Sequence, residues 1–486
     1  MTGLKTKSLQ AVGWSAFSGW SGQIIGLIVF ALLARFLDPV DFGMVAMATI
    51  FIQFIQLFVN QGMVMALVQR QDLQPAHLDT AFWSTFIAGV VFTLGGIAFS
   101  GAFAQSVKMP DIAPVISALS FTLLIRSLAS VQQAVLEREL RYKPIAIATF
   151  AGTLAGGLVG VVMALQGYGV WSLVGQQLIM SCLQVFMIWR IGKWRPSFSF
   201  STSHFKDLFS YGVNVVGINF TEFINRQADN FLVGYFLGPV ALGYYTLAYK
   251  LFQTMTSLLT GVTSKVAFSS FSALQSQLDR MRNAFYLVTE MTSVFSFPIF
   301  IGLAVLAPQI IPLVFGADWE KAVPVIQVLA LVGMLESVYY FNANVIMAMG
   351  KPSWRLKVNI LNAIMNLIAF SIAVRWGIVA VAAAYVIRAY LLSPLPLYLV
   401  KKLIGIEFRA YIEKLIPQVV SGIFMAVALV YMRAALGESD FLLFASVGFL
   451  LLGGVVAYGV SLFFISPDLL KKFVDLGKSL KQKKRS

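Results

Sequence analysis

Long apolar stretches alternate with short polar segments along the whole chain. Each stretch holds about 20 mainly apolar residues, the number that an α-helix needs to cross the roughly 30 Å hydrocarbon core of a bilayer. The fourteen stretches lie at residues 11–34, 42–67, 80–104, 112–135, 145–165, 169–190, 208–236, 240–266, 283–306, 322–346, 354–375, 377–400, 412–435 and 441–464. The polar segments between them are too short for a folded domain outside the membrane. The pattern therefore predicts an all-α integral membrane protein with fourteen transmembrane helices.

A short motif occurs twice in the chain. Phe36–Gly43 and Phe236–Gly243 share five of eight residues at an offset of 200, and each lies in the predicted turn between two spans. The pair Lys143-Pro144 returns in the same way as Lys351-Pro352, at an offset of 208. These offsets correspond to six spans, an even number, so the two halves must enter the membrane with the same orientation. Parallel repeats of this kind are related by an axis along the membrane normal.

The repeat predicts the domain organisation. Residues 1–200 form an N-terminal lobe of six helices and residues 201–405 form a C-terminal lobe of six helices, with a pseudo-two-fold axis along the membrane normal between them. Residues 406–465 supply two extra C-terminal helices, and residues 466–486 form a basic tail. Small residues at four-residue spacing predict close helix contacts. They are Gly152, Gly156 and Gly160 in the fifth span and Ser18, Gly22 and Gly26 in the first.

The composition excludes a soluble protein, and the distribution of charge gives the orientation. Only 12% of the residues are charged and the mean hydropathy is +0.81, whereas soluble domains carry about 25% charged residues. Alternate polar segments hold 27 Lys and Arg on one side and 5 on the other. Because cytoplasmic loops carry the excess of Lys and Arg, both termini are predicted to be cytoplasmic, in a bacterial inner membrane. The basic tail is expected to contact anionic lipid headgroups rather than nucleic acid.

Several kinds of chemistry lack the residues they need. One cysteine, Cys182, and two histidines, His77 and His204, exclude an intrachain disulfide and argue against a metal site. The Gly-Lys pairs of the chain lack the preceding glycine of a phosphate-binding loop. We therefore expect no catalytic residues, no metal and no cofactor, and we expect a transporter rather than an enzyme.

Ionisable residues inside the apolar spans are the main candidates for function. Span seven carries a polar series at spacings of three, four and three, which places it on one helical face: Asn219, Glu222, Arg226 and Asp229. Other spans add Arg126, Lys250, Glu290, Glu336 and Arg388. Each charge costs about 2.5–3.5 kcal/mol at the bilayer centre, so these groups are expected to face a hydrated cavity or each other. Two interpretations stay open, a neutralised structural network and the lining of a transport path.

The span-seven motif also carries a family resemblance. The stretch Arg226–Tyr245 resembles the span seven-to-eight signature of bacterial Wzx-type polysaccharide exporters, and Leu313–Trp319 resembles another of their segments. The resemblance implies the fold of the multidrug/oligosaccharidyl-lipid/polysaccharide (MOP) superfamily. It also implies transport of an undecaprenyl-diphosphate-linked oligosaccharide to the outer leaflet by alternating access. A polysaccharide polymerase and a chain-length regulator would then be partners.

For such a substrate, the charges inside the spans suggest roles for individual residues. The cations Arg126, Arg226, Lys250 and Arg388 would form a cavity that holds the diphosphate. The acids Glu222, Asp229, Glu290 and Glu336 are candidates for coupling transport to H⁺ or Na⁺, with Asn219 on the same polar face. Three alternatives stay open: a peptidoglycan-precursor flippase of the same fold, a cation-coupled multidrug exporter of the same fold, and a membrane-embedded glycosyltransferase or polymerase.

Overall fold

The described part of the chain consists of helices and short connections. The computed structural model describes residues 19–59, 63–70, 72–436, 443–467 and 469, and within these residues it contains no β-strand. The α-helices are α1 (Gly19–Ala34), α2 (Pro39–Val59), α3 (Met63–Gln69), α4 (Pro75–Ser106), α5 (Ile112–Arg138), α6 (Tyr142–Leu165), α7 (Val170–Ile191), α8 (Thr202–Ala273), α9 (Leu278–Phe315), α10 (Val323–Ala348), α11 (Pro352–Ala373), α12 (Ile378–Leu392), α13 (Pro394–Ile404), α14 (Phe408–Glu413), α15 (Ile416–Leu436) and α16 (Leu443–Ile465). The prediction of an all-α protein is confirmed.

Twelve helical segments of the described chain are long and apolar enough to cross a membrane. One of them, Val216–Ala273 within α8, is 58 residues long, nearly three times the length that one span needs. The helix α1 is apolar but shorter, and the predicted start of its span at residues 11–18 lies outside the described residues. The prediction of a multi-pass membrane protein is therefore confirmed, while the count of fourteen stays a prediction. Most of the basic tail, residues 470–486, also lies outside the described part.

The long helix α8 folds back on itself at Gly238. This residue has a φ of +83°, a value that favours glycine because it has no Cβ atom, and Pro239 follows it. The hydroxyl group of Tyr245 donates a hydrogen bond to Oδ2 of Asp229 at 2.8 Å, across 16 residues of sequence. In one uninterrupted helix these residues would lie about 24 Å apart. Therefore α8 consists of two antiparallel arms, a first arm (residues 202–237) and a second arm (residues 239–273).

The two copies of the repeated motif contact each other. A Cβ atom built on Gly43 would lie 1.8 Å from the carbonyl oxygen of Pro239, and one built on Gly243 would lie 1.9 Å from the carbonyl oxygen of Pro39. The contact is reciprocal: the glycine of each copy touches the proline of the other copy, and equivalent residues differ by 200 in number. At these distances the backbones touch directly, so no residue larger than glycine fits at either position without movement of the chain.

The chain separates into two compact units. The first comprises residues 1–254 together with 356–384, and the second comprises residues 255–355 together with 385–486, each as far as it is described. These boundaries differ from the lobe boundary expected at residue 200. The six-helix lobes and their symmetry axis stay predictions.

Each unit has apolar cores between neighbouring helices. In the first unit, Leu67 of α3, Phe82 of α4 and Val131 of α5 are buried together. In the second unit, Phe285 of α9 packs with residues of α10, α13 and α14. A separate core joins α9 to α15 and α16, the two helices that the sequence placed outside the repeat, and includes Leu429.

The predicted small-residue contacts are confirmed in one of the two stripes. A Cβ atom on Gly152, Gly156 or Gly160 would lie 2.5–3.0 Å from atoms of α7, so glycine lets α6 and α7 approach closely. In the first span, a Cβ atom on Gly26 would meet no atom within 4 Å. The prediction of a close helix contact at Gly26 is therefore wrong, and Ser18 lies outside the described residues.

Candidate functional site

A cavity of about 450 Å³ opens within the first unit. Its volume falls within the range of roughly 300–1,000 Å³ that is typical of small-molecule sites. Polar side chains come from α2, α7 and both arms of α8: Thr49, Gln53, Gln176, Gln177, Arg226, Gln227, Asn230, Thr246, Tyr249, Lys250 and Gln253. Apolar side chains, among them Phe30 and Phe42, complete the wall. The fold-back of α8 at Gly238 makes this cavity possible, because it brings residues 226–230 beside residues 246–253.

Two cations line the cavity. Arg226 lies on the first arm of α8 and Lys250 on the second arm. Neither side chain makes a hydrogen bond or an ion pair with any residue that the structure describes. The lining of the cavity, as described, also contains no Asp or Glu. The wall therefore carries a net positive charge, which raises the local concentration of anionic ligands.

A smaller cavity of about 280 Å³ shares Arg226 and Gln53 with the first. Its lining includes Asn219 and Glu222 from the first arm of α8, together with Gln56 of α2. Three members of the polar series in span seven therefore line connected polar space. The ion pairs found among the described residues do not include Glu222 or Arg226.

The fourth member of that series, Asp229, is 2% exposed. Its Oδ2 accepts the hydrogen bond from the hydroxyl of Tyr245, and its Oδ1 accepts one from the backbone N–H of Asn230 at 2.8 Å. The carboxylate thus joins the two arms of α8 beside the cavity rather than forming part of its described lining.

Asn225, on the first arm of α8, forms polar contacts to α11. The Nδ2 atom of Asn225 donates to the backbone oxygen of Asn359, and the Nδ2 atom of Asn366 donates to Oδ1 of Asn225, each at 3.0 Å. Asn366 is 2% exposed. These bonds connect α8 to α11 within the first unit.

The remaining candidates lie elsewhere. Arg126, on α5 of the first unit, has an exposed side chain and is not part of either described cavity. In the second unit Glu290 of α9 is buried. Glu336 of α10 accepts a hydrogen bond from the hydroxyl of Tyr385 at 2.6 Å, and the guanidinium of Arg388 lies 4.8 Å from the centre of the Tyr385 ring. Of the four predicted cations, the structure therefore brings Arg226 and Lys250 to one cavity.

Sequence reasoning missed the amides of the cavity. Six amide side chains line it, four of them outside the polar series and its motif: Gln53, Gln176, Gln177 and Gln253. A single glutamine hardly changes the mean hydropathy of a span. Its presence inside an apolar span is nevertheless the signal that was available.

The helices and this polar cavity define a multi-pass helical membrane protein, and comparison with known proteins identifies its fold and family. The solved structure of the lipid II flippase MurJ in an inward closed conformation superposes with a TM-score of 0.76, covering 94% of this chain and 99% of MurJ. The sequences are 14% identical, so this likeness shows the fold alone. An inward-facing multidrug resistance MATE transporter of the MOP superfamily superposes with a TM-score of 0.57 at 16% identity, so the fold expected from the motifs is confirmed.

The family described as "Polysaccharide biosynthesis protein" matches residues 32–324, more than half of the chain. The chain therefore belongs to this family, which confirms the resemblance seen in its motifs. It is 24% identical to the lipopolysaccharide biosynthesis protein WzxC of Escherichia coli (strain K12) over 416 residues, 85% of each chain. It is 26% identical to the succinoglycan biosynthesis transport protein ExoT of Rhizobium meliloti (strain 1021) over 320 residues, 66% of this chain and 65% of ExoT.

Proposed function

We propose that this protein is a flippase that moves an undecaprenyl-diphosphate-linked oligosaccharide from the cytoplasmic to the outer leaflet, for assembly of a surface polysaccharide. The observation that carries the proposal is the cavity of the first unit, whose described lining holds Arg226 and Lys250 and no acid. A diphosphate is the anion that such a pair of unpartnered cations can bind through charge-assisted hydrogen bonds. Membership of the polysaccharide biosynthesis family and the likeness to WzxC and ExoT support it.

Fourteen spans with both termini in the cytoplasm belong to the proposal. The fold-back at Gly238 divides the 58-residue segment of α8 into two arms. These arms would cross the membrane as two spans, and α1 would supply another in addition to the remaining eleven. The 27-to-5 distribution of Lys and Arg supports this orientation in a bacterial inner membrane. The two six-helix lobes would then alternate in opening to either side while the polyprenyl tail stays in lipid.

Specific residues receive roles in this mechanism. Arg226 and Lys250 bind the diphosphate, with Arg126 and Arg388 as further cationic positions along its path. Glu222, Asp229, Glu290 and Glu336 are the candidates for coupling transport to H⁺ or Na⁺, and Asn219 lies in the smaller cavity beside Glu222. A polymerase and a chain-length regulator would use the product on the outer side.

A peptidoglycan-precursor flippase is the second candidate, because the solved structure of MurJ, a lipid II flippase, shares this fold. A multidrug exporter for organic cations is less well supported, because the cavity of the first unit presents two cations and no acid among its described residues. An organic cation would be repelled from such a wall.

Deletion of the gene in its own host tests the proposal. We expect loss of the surface polysaccharide, accumulation of the lipid-linked oligosaccharide in the inner leaflet, and viable cells. A plasmid copy should restore export. Loss of viability with accumulation of a peptidoglycan precursor would favour the second candidate, and neither accumulation would contradict both flippase functions.

A further inference from the structure

Six amide side chains line the same cavity as the two cations, and binding of a diphosphate does not require them. They come from three helices: Gln53 (α2), Gln176 and Gln177 (α7), and Gln227, Asn230 and Gln253 (α8). Each amide carries an acceptor oxygen and two donor hydrogens. An anion accepts hydrogen bonds only, so the acceptor half of each amide has no use in a phosphate site.

Helix packing accounts for some of these amides. The Nε2 atom of Gln227 donates to Oε1 of Gln53 at 2.8 Å, which joins the first arm of α8 to α2. The stem of Gln176 packs against Gly160 of α6, where a Cβ atom on the glycine would lie 3.0 Å from Cβ of Gln176. Asn230 donates to the carboxylate of its neighbour Asp229. These contacts join the first arm of α8 to α2 and α7 to α6.

Packing does not account for Gln177 and Gln253. Neither amide makes a hydrogen bond to any residue within the described ranges, although they lie on different helices, α7 and the second arm of α8. A polar side chain inside a membrane-spanning segment is costly unless it faces protein partners or an aqueous cavity. The pairing of Gln53 with Gln227 likewise leaves the Nε2 atom of Gln53 and the Oε1 atom of Gln227 without a described partner. The cavity therefore presents free donors and free acceptors together.

Such a mixture matches one class of ligand. The hydroxyl groups of a sugar each donate one hydrogen bond and accept others, so they need a surface that does both. The hydroxyls of Thr49, Thr246 and Tyr249 in the same lining add further groups of mixed character. A bare diphosphate needs donors and positive charge, and Arg226 with Lys250 supplies these.

We infer that the amides of this cavity form a carbohydrate subsite that binds hydroxyl groups of the sugar next to the diphosphate, with Gln177 and Gln253 as its primary ligands. This inference rests on the proposed transport of a lipid-linked oligosaccharide. The cations select a diphosphate, which every such lipid carries, and the amides select the sugar. Specificity for the sugar therefore lies in glutamines rather than in charged residues.

The test compares two ligands on the purified full-length protein in lipid nanodiscs. One is undecaprenyl diphosphate without sugar, and the other is the undecaprenyl-diphosphate-linked oligosaccharide isolated from the host after deletion of this gene. The variant is Gln177→Met with Gln253→Met, which keeps the side-chain length and removes the amides. The matched control is Gln166→Met, at an exposed glutamine outside the cavity.

We expect the double variant to bind the glycosylated lipid about tenfold more weakly, which is about 1.4 kcal/mol, and to bind the bare lipid as the wild type does. Unchanged binding of the glycosylated lipid, or an equal loss for both lipids, overturns the inference. If the double variant does not fold, each single variant should lose about threefold for the glycosylated lipid alone. If the wild-type protein binds neither lipid, the proposed function is overturned instead. Arg226→Gln should weaken the binding of both lipids by the same factor.

Discussion

Gly43 and Pro239 contact each other through their backbones, at equivalent places in the two copies of one sequence motif. A Cβ atom on Gly43 would lie only 1.8 Å from the carbonyl oxygen of Pro239, and Gly243 is related to Pro39 in the same way. Proline restricts the backbone on one side of each contact, and glycine provides the space on the other. Each copy of the motif therefore supplies one half of a reciprocal contact.

Replacement of either glycine by alanine is the first prediction. Because a backbone carbonyl cannot rotate away as a side chain can, Gly43→Ala and Gly243→Ala should each destabilise the fold by about 1–3 kcal/mol or more, as overpacking does. The measurement is the thermal midpoint of the detergent-solubilised protein by size-exclusion chromatography after heating.

Gly101→Ala is the matched control, because it lies inside α4 and a Cβ atom there would meet nothing within 4 Å. Alanine is the better helix former by about 1 kcal/mol, so this variant should be as stable as the wild type or slightly more stable. A Gly43→Ala protein with an unchanged midpoint would show that the two backbones separate easily.

The hydrogen bond between Tyr245 and Asp229 gives the second prediction. Tyr245→Phe removes one donor from a carboxylate that is 2% exposed, so the free energy of unfolding should fall by about 1–3 kcal/mol. Asp229→Asn retains an oxygen that accepts the tyrosine hydrogen and should cost less. Tyr431→Phe, at a tyrosine that is 73% exposed, should leave stability unchanged. Equal midpoints for all three variants would remove the structural role of Asp229.

Hydropathy and the repeat predicted most of the helices. The site also depends on the contact between Asp229 and Tyr245, which the periodicity of polar residues does not predict. Three residues of the series at 219, 222, 226 and 229 line the two polar cavities, and their role there stays a prediction. The spacing did not indicate that Asp229 accepts a hydrogen bond from Tyr245, because that contact exists only after α8 reverses at Gly238. The turn was visible in the sequence, but the pairing of the two arms depends on tertiary packing.

The glutamines of the cavity show what mean hydropathy cannot predict. Gln176 and Gln253 each lie in a span whose mean hydropathy is high, and that average does not reveal their amides. Only the structure brings α7 and the second arm of α8 to one cavity. A few amides barely change the mean hydropathy of a helix, whereas six of them around one space form a polar wall.

Neutralising the cations of the cavity is the third prediction. Arg226→Gln and Lys250→Gln should each weaken binding of undecaprenyl diphosphate by roughly 10- to 100-fold, because each removes charge-assisted hydrogen bonds worth about 1.5–3 kcal/mol. Stability should hardly change, since neither cation has a partner among the described residues. Arg375→Gln, at an exposed arginine after α11, is the control for a general loss of positive charge.

The alternative of a neutralised network predicts a different result for Arg226→Gln. If Arg226 only balanced Glu222 and Asp229, its removal would leave both acids, one of them buried, without a counter-charge. That loss would cost about 3–5 kcal/mol. The protein would then fail to accumulate. Normal binding and export by a triple variant without charge at 222, 226 and 229 would dismiss a functional role for the whole series.

Orientation in the membrane is the fourth prediction. Single cysteines at Gln166 and Ser276, introduced after Cys182→Ala, lie in segments predicted to be outside and inside. A membrane-impermeant maleimide should label the cysteine at 166 in intact spheroplasts and the one at 276 only after lysis. Equal labelling of both before lysis would contradict the arrangement that the 27-to-5 charge distribution predicts.

The last prediction is that transport is coupled to an ion and that Glu222 is the coupling acid in the first unit. The structure distinguishes it from Asp229: Glu222 lines open polar space beside Arg226, while Asp229 is buried and bonded to Tyr245. An acid that exchanges a proton or Na⁺ must be reachable from water, and a membrane potential supplies about 2.3 kcal/mol per charge for each 100 mV. That energy shifts a leaflet distribution by more than tenfold.

Flipping is measured in proteoliposomes with an imposed pH or Na⁺ gradient. We expect the gradient to stimulate the wild type and Asp229→Asn, and Glu222→Gln to flip at a rate that no longer depends on it. Glu336→Gln tests the candidate acid on α10 of the second unit, where Tyr385 donates to the carboxylate. A wild-type rate that ignores both gradients would end the coupling hypothesis, whatever the variants do.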